Sequence, residues 1–240
     1  SAVPTIADEY KRQGYYFVQV TLDEAVLKKD GIARFTISEE PKVKVKSITF
    51  RGNDSISATE LDSQISTKKA FWFFTAGTFS EEILSGDVAR LKAYYVGQGF
   101  FDAQVGREFT FDAKNEKVSV EFIIKEGTRY RVASVAVVGA EARSPAYLTE
   151  NLGLKPDGFY TADLLKADTK YITDSYGRTG YVHAQVVPKI DFTAEPGKVD
   201  VVFTVTEGRK ITIGDIVITG NEVTKDKVVL RELGVEPGQP

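Results

Sequence analysis

Between Val45 and Phe50 apolar and polar side chains alternate with the two-residue period of a half-buried strand, and the run stops at Gly52 and Asn53, a turn signal. The period then changes. Ser57 followed by Glu60 is a capping-box pattern that opens a short helix. Leu84, Val88, Leu91 and Tyr95, at i, i+4, i+7 and i+11, predict a second helix with one stripe turned to a core. Gly99 stands at its end, where the left-handed backbone costs glycine nothing. Alternation then returns twice, at Ala103, Val105, Phe109 and Phe111 and at Val118, Val120, Phe122 and Ile124, predicting two strands.

The same succession runs a second time. Ser144 and Pro145 fit the N-cap and first-turn positions of a short helix, and Leu165, Thr169, Ile172 and Tyr176 repeat the helical stripe before Gly180. Ala184, Val186, Ile190 and Phe192, then Val199, Val201, Phe203 and Val205, repeat the two strands. Three independent markers share the period. Tyr10, Gly14 and Tyr15 return as Tyr95, Gly99 and Phe100 and as Tyr176, Gly180 and Tyr181, with the glycines 85 and 81 residues apart. Phe35 with Glu39 recurs as Phe122 with Glu126 and Phe203 with Glu207, and the strand-ending glycines Gly52, Gly139 and Gly220 recur as well, at offsets of 87 and 81. Such a period marks tandem domains.

Each unit reads as β-α-α-β-β, an α+β fold in which two helices cover one face of a three-stranded mixed sheet. The last two strands form a hairpin and the crossover sets the first strand beside the third, so the sheet order is first-third-second and the middle strand lies at an edge. Pro188 falls inside that middle strand, where a missing donor is tolerated only if it faces away from a partner. The units are expected at residues 44–130 and 131–208, with the C-terminal half of another unit at 1–43 and the N-terminal half of a further one at 209–240. Both ends of the chain thus fall inside a unit, as in a piece of something larger.

Composition removes whole classes of chemistry. The 240 residues carry 31 Lys and Arg against 34 Asp and Glu, a net charge of −3, which divides as −1, 0, −2 and 0 over the four segments. No segment is basic enough to hold nucleic acid by charge. Without cysteine, disulfides, thiolate metal sites and thiol nucleophiles are excluded, and the single histidine, His183, leaves no basis for a histidine metal site or a Ser-His-Asp triad. No nucleophile–base pair and no phosphate loop occurs, so neither an enzyme nor a bound cofactor is expected. No apolar run approaches the roughly 20 residues of a membrane-spanning helix, and Ser1 to Pro4 lack the features of a signal peptide.

The β-α-α-β-β unit, with Tyr95 to Gly99 and Tyr176 to Gly180 closing the second helix, and Phe122 to Gly127 and Phe203 to Gly208 closing the third strand, resembles the POTRA domain. Glu39, Glu40 and Pro41 depart from that pattern locally. Four segments in tandem are most similar to the BamA type, the outer-membrane β-barrel assembly factors. The resemblance implies a periplasmic arm that docks accessory lipoproteins and unfolded outer-membrane proteins ahead of a membrane β-barrel beyond Pro240. The soluble arm of a two-partner-secretion or other translocation pore is the alternative.

The favoured site is backbone. An edge strand presents unpaired N–H and C=O groups to which an extended client adds as another strand. The candidate edges are Gln104, Val105, Gly106, Arg107, Glu108 and Phe109, and Gln185, Val186, Val187 and Ile190, with Pro188 expected to weaken the second. Phe71, Trp72, Phe73 and Phe74 form an aromatic cluster that either folds back on its own helices or makes an exposed patch. Asp87 and Asp168 stand at equivalent places and are expected as helix-surface carboxylates, pairing with Arg90 or bonding the preceding loop. His183 is expected at the surface. The strand Ile213 to Thr219 and helix Thr224 to Leu233 are expected to be able to complete the half-unit of another molecule, a head-to-tail contact.

Overall fold

The computed structural model describes residues 2–70, 77–233 and 238. They divide into two compact units, Ser1–Thr128 and Arg129–Pro240. The first contains α1 (Ala2–Arg12), β1 (Gln19–Leu22), α2 (Glu24–Asp30), β2 (Phe35–Ser38), β3 (Lys44–Arg51), α3 (Ala58–Gln64), α4 (Glu81–Gly97), β4 (Gln104–Phe111) and β5 (Lys117–Lys125). The second contains β6 (Arg131–Val138), α5 (Pro145–Glu150), α6 (Ala162–Gly177), β7 (Gln185–Phe192), β8 (Lys198–Thr206) and α7 (Asp226–Leu233).

Each unit carries one mixed sheet, ordered β3-β5-β4 and β6-β8-β7, with the first pair of strands parallel and the second antiparallel. The most apolar strand therefore takes the centre. Val118, Val120, Phe122 and Ile124 of β5 are 0–3% exposed and pack with Leu84, Leu91 and Tyr95 of α4, and each such side chain stabilises the unit by roughly 1.5–3 kcal/mol. Val199, Val201, Phe203 and Val205 are buried in the same way with Ile172 and Tyr176.

Caps set the helix starts. Ser57, Ser80, Ser144 and Thr161 each accept a hydrogen bond from a backbone N–H of their own first turn. The Glu60 carboxylate accepts from the Tyr94 hydroxyl, so this capping pair is tied to the second helix of its unit. Glycine is required where the first strand leaves the sheet. Gly52 and Gly139 have φ of 82° and 77°, and a Cβ there would meet the carbonyl oxygens of Ile124 and Val205 at 2.2 and 2.4 Å.

The outer side of each first strand is partly used. The Val45 N–H donates to Gly77 O at 2.7 Å while Val45 O accepts from the Ala70 N–H at 2.9 Å, and the Val132 N–H and O bond Gly158 and Asp157 at 2.8 Å each. The described ends of the loop between the helices thus bond the start of that side, whereas no strand or loop bonds the outer side of the middle strand among the described residues.

Two features differ from the sequence reading. A helix, α2, lies inside the β1–β2 hairpin, capped by Asp23, whose carboxylate accepts from the Val26 N–H, and ended by the left-handed Gly31. Residues 213–219, expected as a strand, carry no ladder, because a strand needs a partner and the described residues of this unit offer none. The helix beyond them begins at Asp226 rather than Thr224. The aromatic cluster Phe71 to Phe74 lies outside the described residues.

Candidate functional site

Register decides which backbone groups of an edge strand are free, because residues of an antiparallel ladder alternate between bonding the partner and facing away from it. In β4 the pairs run from Gln104 with Lys125 to Phe111 with Val118. The Asp112 N–H donates to Lys117 O at 2.9 Å in the next pair. Counting back in twos, Thr110, Glu108, Gly106 and Gln104 bond β5, and Val105, Arg107, Phe109 and Phe111 turn both backbone groups outward. The same count holds in β7, where the Thr193 N–H donates to Lys198 O at 3.2 Å beyond the Phe192–Val199 pair. There Val186, Pro188, Ile190 and Phe192 face out.

Half of the expected edge residues therefore do the outward work. Gln104, Gly106 and Glu108 spend their backbone groups on β5, as Gln185 and Val187 spend theirs on β8. Pro188 lies on the outward set, so its missing N–H costs the sheet nothing and leaves a gap in the outer row of donors.

Side chains frame the first edge. Those of Val105, Arg107, Phe109 and Phe111 are half-buried toward the helices. The Arg107 guanidinium donates to Ser85 Oγ at 2.5 Å and pairs with Glu81 at 3.2 Å, which lays its stem along the start of α4. The far end of the strand is enclosed: the rings of Tyr16 and Phe17 stand 5.2 and 4.8 Å from Phe111, and Tyr16 is 5.1 Å from Phe79. The Tyr16 hydroxyl also donates to Glu81 at 3.3 Å. Burial and then the Glu81 charge raise the Tyr16 phenol, against a smaller pull from Arg107. The open part of the edge is Val105 to Phe109.

The POTRA family model, described as surface antigen variable number repeat, matches residues 43–127 and 130–208. The chain belongs to the POTRA family. Curated relatives are similar along nearly all of it: an outer membrane protein assembly factor BamA of Nitratidesulfovibrio vulgaris is 27% identical over 97% of the chain, and one of Neisseria meningitidis is 29% identical over 97%. The chain spans about 30% of the length of each. Among solved structures, Haemophilus influenzae BamA POTRA3-5 matches at a TM-score of 0.52 and 24% identity, covering 82% of this chain and 79% of that one, a likeness of fold.

Each of the two matched segments also holds a polar pair, a buried tyrosine on a half-buried carboxylate, that the repeat alone did not reveal. The Tyr95 hydroxyl donates to Glu126 at 3.0 Å, and the same carboxylate accepts from the Ser55 N–H at 3.0 and 3.1 Å. Tyr176 donates to Glu207 at 2.8 Å, which accepts from the N–H groups of Glu141 and Ala142 at 2.6 and 2.8 Å. The loop after the first strand is thereby bolted to the second helix and the third strand. Burial, then the carboxylate, raises both phenols well above their usual range. Burial alone would raise Glu207 too, but the two amides and the Tyr176 hydroxyl hold it below the usual carboxylate range. The constant Tyr-to-Glu spacing of 31 residues was the available signal.

Asp87 and Asp168 bond the preceding loop, and Asp87 also pairs with Arg90, as expected, but the structure corrects their place: they are buried, at 0% and 4% exposure, rather than on a helix surface. The reason is the turn after the first helix, whose N–H groups have no ladder to enter and need an acceptor. Asp87 accepts from the N–H groups of Ser66 and Thr67 at 2.6 and 2.9 Å, and from the Thr67 hydroxyl and Arg90. Asp168 accepts from Gly153 and Leu154 at 2.6 and 2.9 Å. Burial pushes the Asp87 carboxyl up, and the hydrogen bonds from Thr67, Ser66 and Arg90 together outweigh it and hold it below its ordinary value.

Proposed function

We propose that the chain is a periplasmic arm of an outer-membrane protein assembly factor, in which the open edge of β4 holds unfolded β-barrel precursors by accepting them as a further strand. The observation that carries this reading is the uninterrupted outward row at Val105, Arg107 and Phe109. Proteins called outer membrane protein assembly factor match 95–97% of the chain, which supports the context. Main-chain pairing suits a client set that shares alternating apolar strands and no common sequence, since the bonds ask nothing of client side chains. Docking of accessory lipoproteins belongs to the same reading.

NMR titration with an extended peptide from an outer-membrane β-strand tests it. Shifts should concentrate at Val105 to Phe109. Arg107→Pro, which copies the defect of Pro188, should weaken binding roughly 2- to 10-fold, the worth of one hydrogen bond. Arg107→Ala, which removes the Glu81 pair and keeps the N–H, should leave binding near the parent value. Equal or weaker shifts at Val105 to Phe109 than along β7 would sink the reading.

The same reading takes residues 1–43 and 209–240 as portions of two further POTRA units. Val217 and Val223 are 81% and 97% exposed on a segment without a ladder. That favours the tail of one copy joining the β1–β2 hairpin of another, head to tail. Light scattering over a hundredfold concentration range should then give a rising mass; a constant monomer mass rejects the contact.

A further inference from the structure

The helix faces of the two complete POTRA units part company at one place. In the first, the Tyr94 hydroxyl of α4 donates to Glu60 of α3, and its ring packs on the core that contains Ile56. The repeat sets Ser175 at the position of Tyr94, Tyr147 at that of Glu60, Arg143 at that of Ile56 and Arg178 at that of Gly97. A filled contact between a phenol and a carboxylate is replaced by a small residue, a second phenol and two guanidinium groups.

A cavity of about 210 Å³ results between α5 and α6, walled by Arg143, Tyr147, Tyr171, Asp174, Ser175 and Arg178. The Arg143 Nε is buried without a hydrogen-bond partner, alone in this among side-chain atoms of the described residues. A buried donor left unpaired is costly, and natural structures nearly always satisfy it. Neither guanidinium has an ion-pair partner among the described residues, whereas Asp174, the one carboxylate in the wall, is bound to Lys170 at 2.6 Å. The Tyr171 phenol is raised first by burial and then by Tyr147, and Arg143 and Arg178, which wall the same cavity, pull against this.

The geometry points to an oxyanion pocket that takes the side-chain carboxylate of an acidic residue on a partner protein. The Arg143 Nε is closed off from the cavity, so the guanidinium meets a ligand through its two Nη groups, a fork that matches the two oxygens of a carboxylate. The cavity has room for one such group, with phenol hydroxyls at hand to bond its remaining lone pairs. The first unit has Tyr94 and Glu60 in place of Ser175 and Tyr147 and carries a carboxylate of its own there. The pocket therefore distinguishes two otherwise equivalent units for a partner with an acidic side chain.

The test uses the whole chain with labelled arginine side chains, titrated at constant ionic strength with acetyl-Gly-Glu-Gly-amide, acetyl-Gly-Gln-Gly-amide and inorganic phosphate. The expected result is a saturable shift of the Arg143 Nε–H signal with the first peptide and none with the second. Arg143→Gln and Ser175→Tyr, the latter restoring the first unit's aromatic, should each weaken binding at least 10-fold while amide spectra keep their dispersion. Arg178→Gln, at an exposed position, should weaken it at least 3-fold and decides the matter if the other two variants unfold. Linear, unsaturated shifts, equal binding of the glutamine peptide, or tighter binding of phosphate than of the glutamate peptide would overturn the assignment.

Discussion

Arg107 in β4 and Pro188 in β7 stand at one place in two ladders of identical register, opposite Phe122 and Phe203. Only the first can donate a hydrogen bond outward. The units agree wherever a group is needed to close the fold: Gly52 and Gly139 over a strand carbonyl, Tyr95 and Tyr176 on Glu126 and Glu207, Asp87 and Asp168 on loop amides. They differ at Arg107 and Pro188 on the open edge and at Tyr94 and Ser175 between the two helices. One backbone thus presents two surfaces, and changes at shared positions should cost stability equally in both units while changes at divergent positions should alter binding in one.

The largest effect is expected at the buried aspartates. Asp87→Ala and Asp168→Ala each strand one buried and one part-buried N–H group, which should cost about 3 kcal/mol in either unit. Chemical denaturation, followed by probes in each unit, measures this. Arg90 is 45% exposed, and without it Asp87 keeps its bonds from Ser66 and Thr67, so Arg90→Ala should cost less than about 1 kcal/mol. A large loss for Arg90→Ala, or a small one for Asp168→Ala, would break the parallel between the units. The pH dependence follows from the sign of the Asp87 shift. Its folded pKa lies below the unfolded one, so its contribution is complete above the ordinary carboxylate range and is lost as pH falls through the folded value.

A smaller and again symmetrical loss is expected for Tyr95→Phe and Tyr176→Phe. Each removes one hydroxyl from a carboxylate that keeps its backbone amide partners, about 1–1.5 kcal/mol. Equal shifts of melting midpoint in the two units would sharpen the view that these pairs close the fold. A loss confined to one unit would show that the matching hydrogen bonds carry different weight.

Strand and helix order, the sheet order and the edge position of Pro188 were legible because period and punctuation are local properties of the chain. The helix α2 was missed because it spans only Glu24–Asp30, too short for a stripe to establish itself, although Asp23 and Gly31 bracket it. The bonds of Asp87 and Asp168 to the preceding loop were legible from their repeated place on the helix, but their burial was not, because a carboxylate bonded to loop amides looks alike from sequence whether or not water also reaches it. Which of Gln104 to Phe109 face outward was legible only once register was known, since alternation of side chains does not say which set bonds β5. The Arg143 cavity needed both helices in place: its residues come from two segments, and what matters is the ring that Ser175 lacks.

The smallest effect bears most directly on the comparison of the edges. Pro188→Ala restores one outward N–H in β7, between those of Val186 and Ile190, and introduces no new side-chain contact. The change should destabilise the unit by about 0.4–1 kcal/mol, because the unfolded chain regains freedom that proline denied it. Against that small loss, β7 gains a continuous row of donors and should bind the extended peptide roughly 2- to 5-fold more tightly, the lower part of what one main-chain hydrogen bond contributes. Peptide titration of Pro188→Ala beside the parent separates two causes of any weakness at this edge. A gain assigns it to the missing donor. No gain means that the side chains flanking the strand, with no counterpart of the Arg107 pair to Glu81, set the difference between β4 and β7, and then Arg107→Ala should lower binding at β4 as much as Arg107→Pro does.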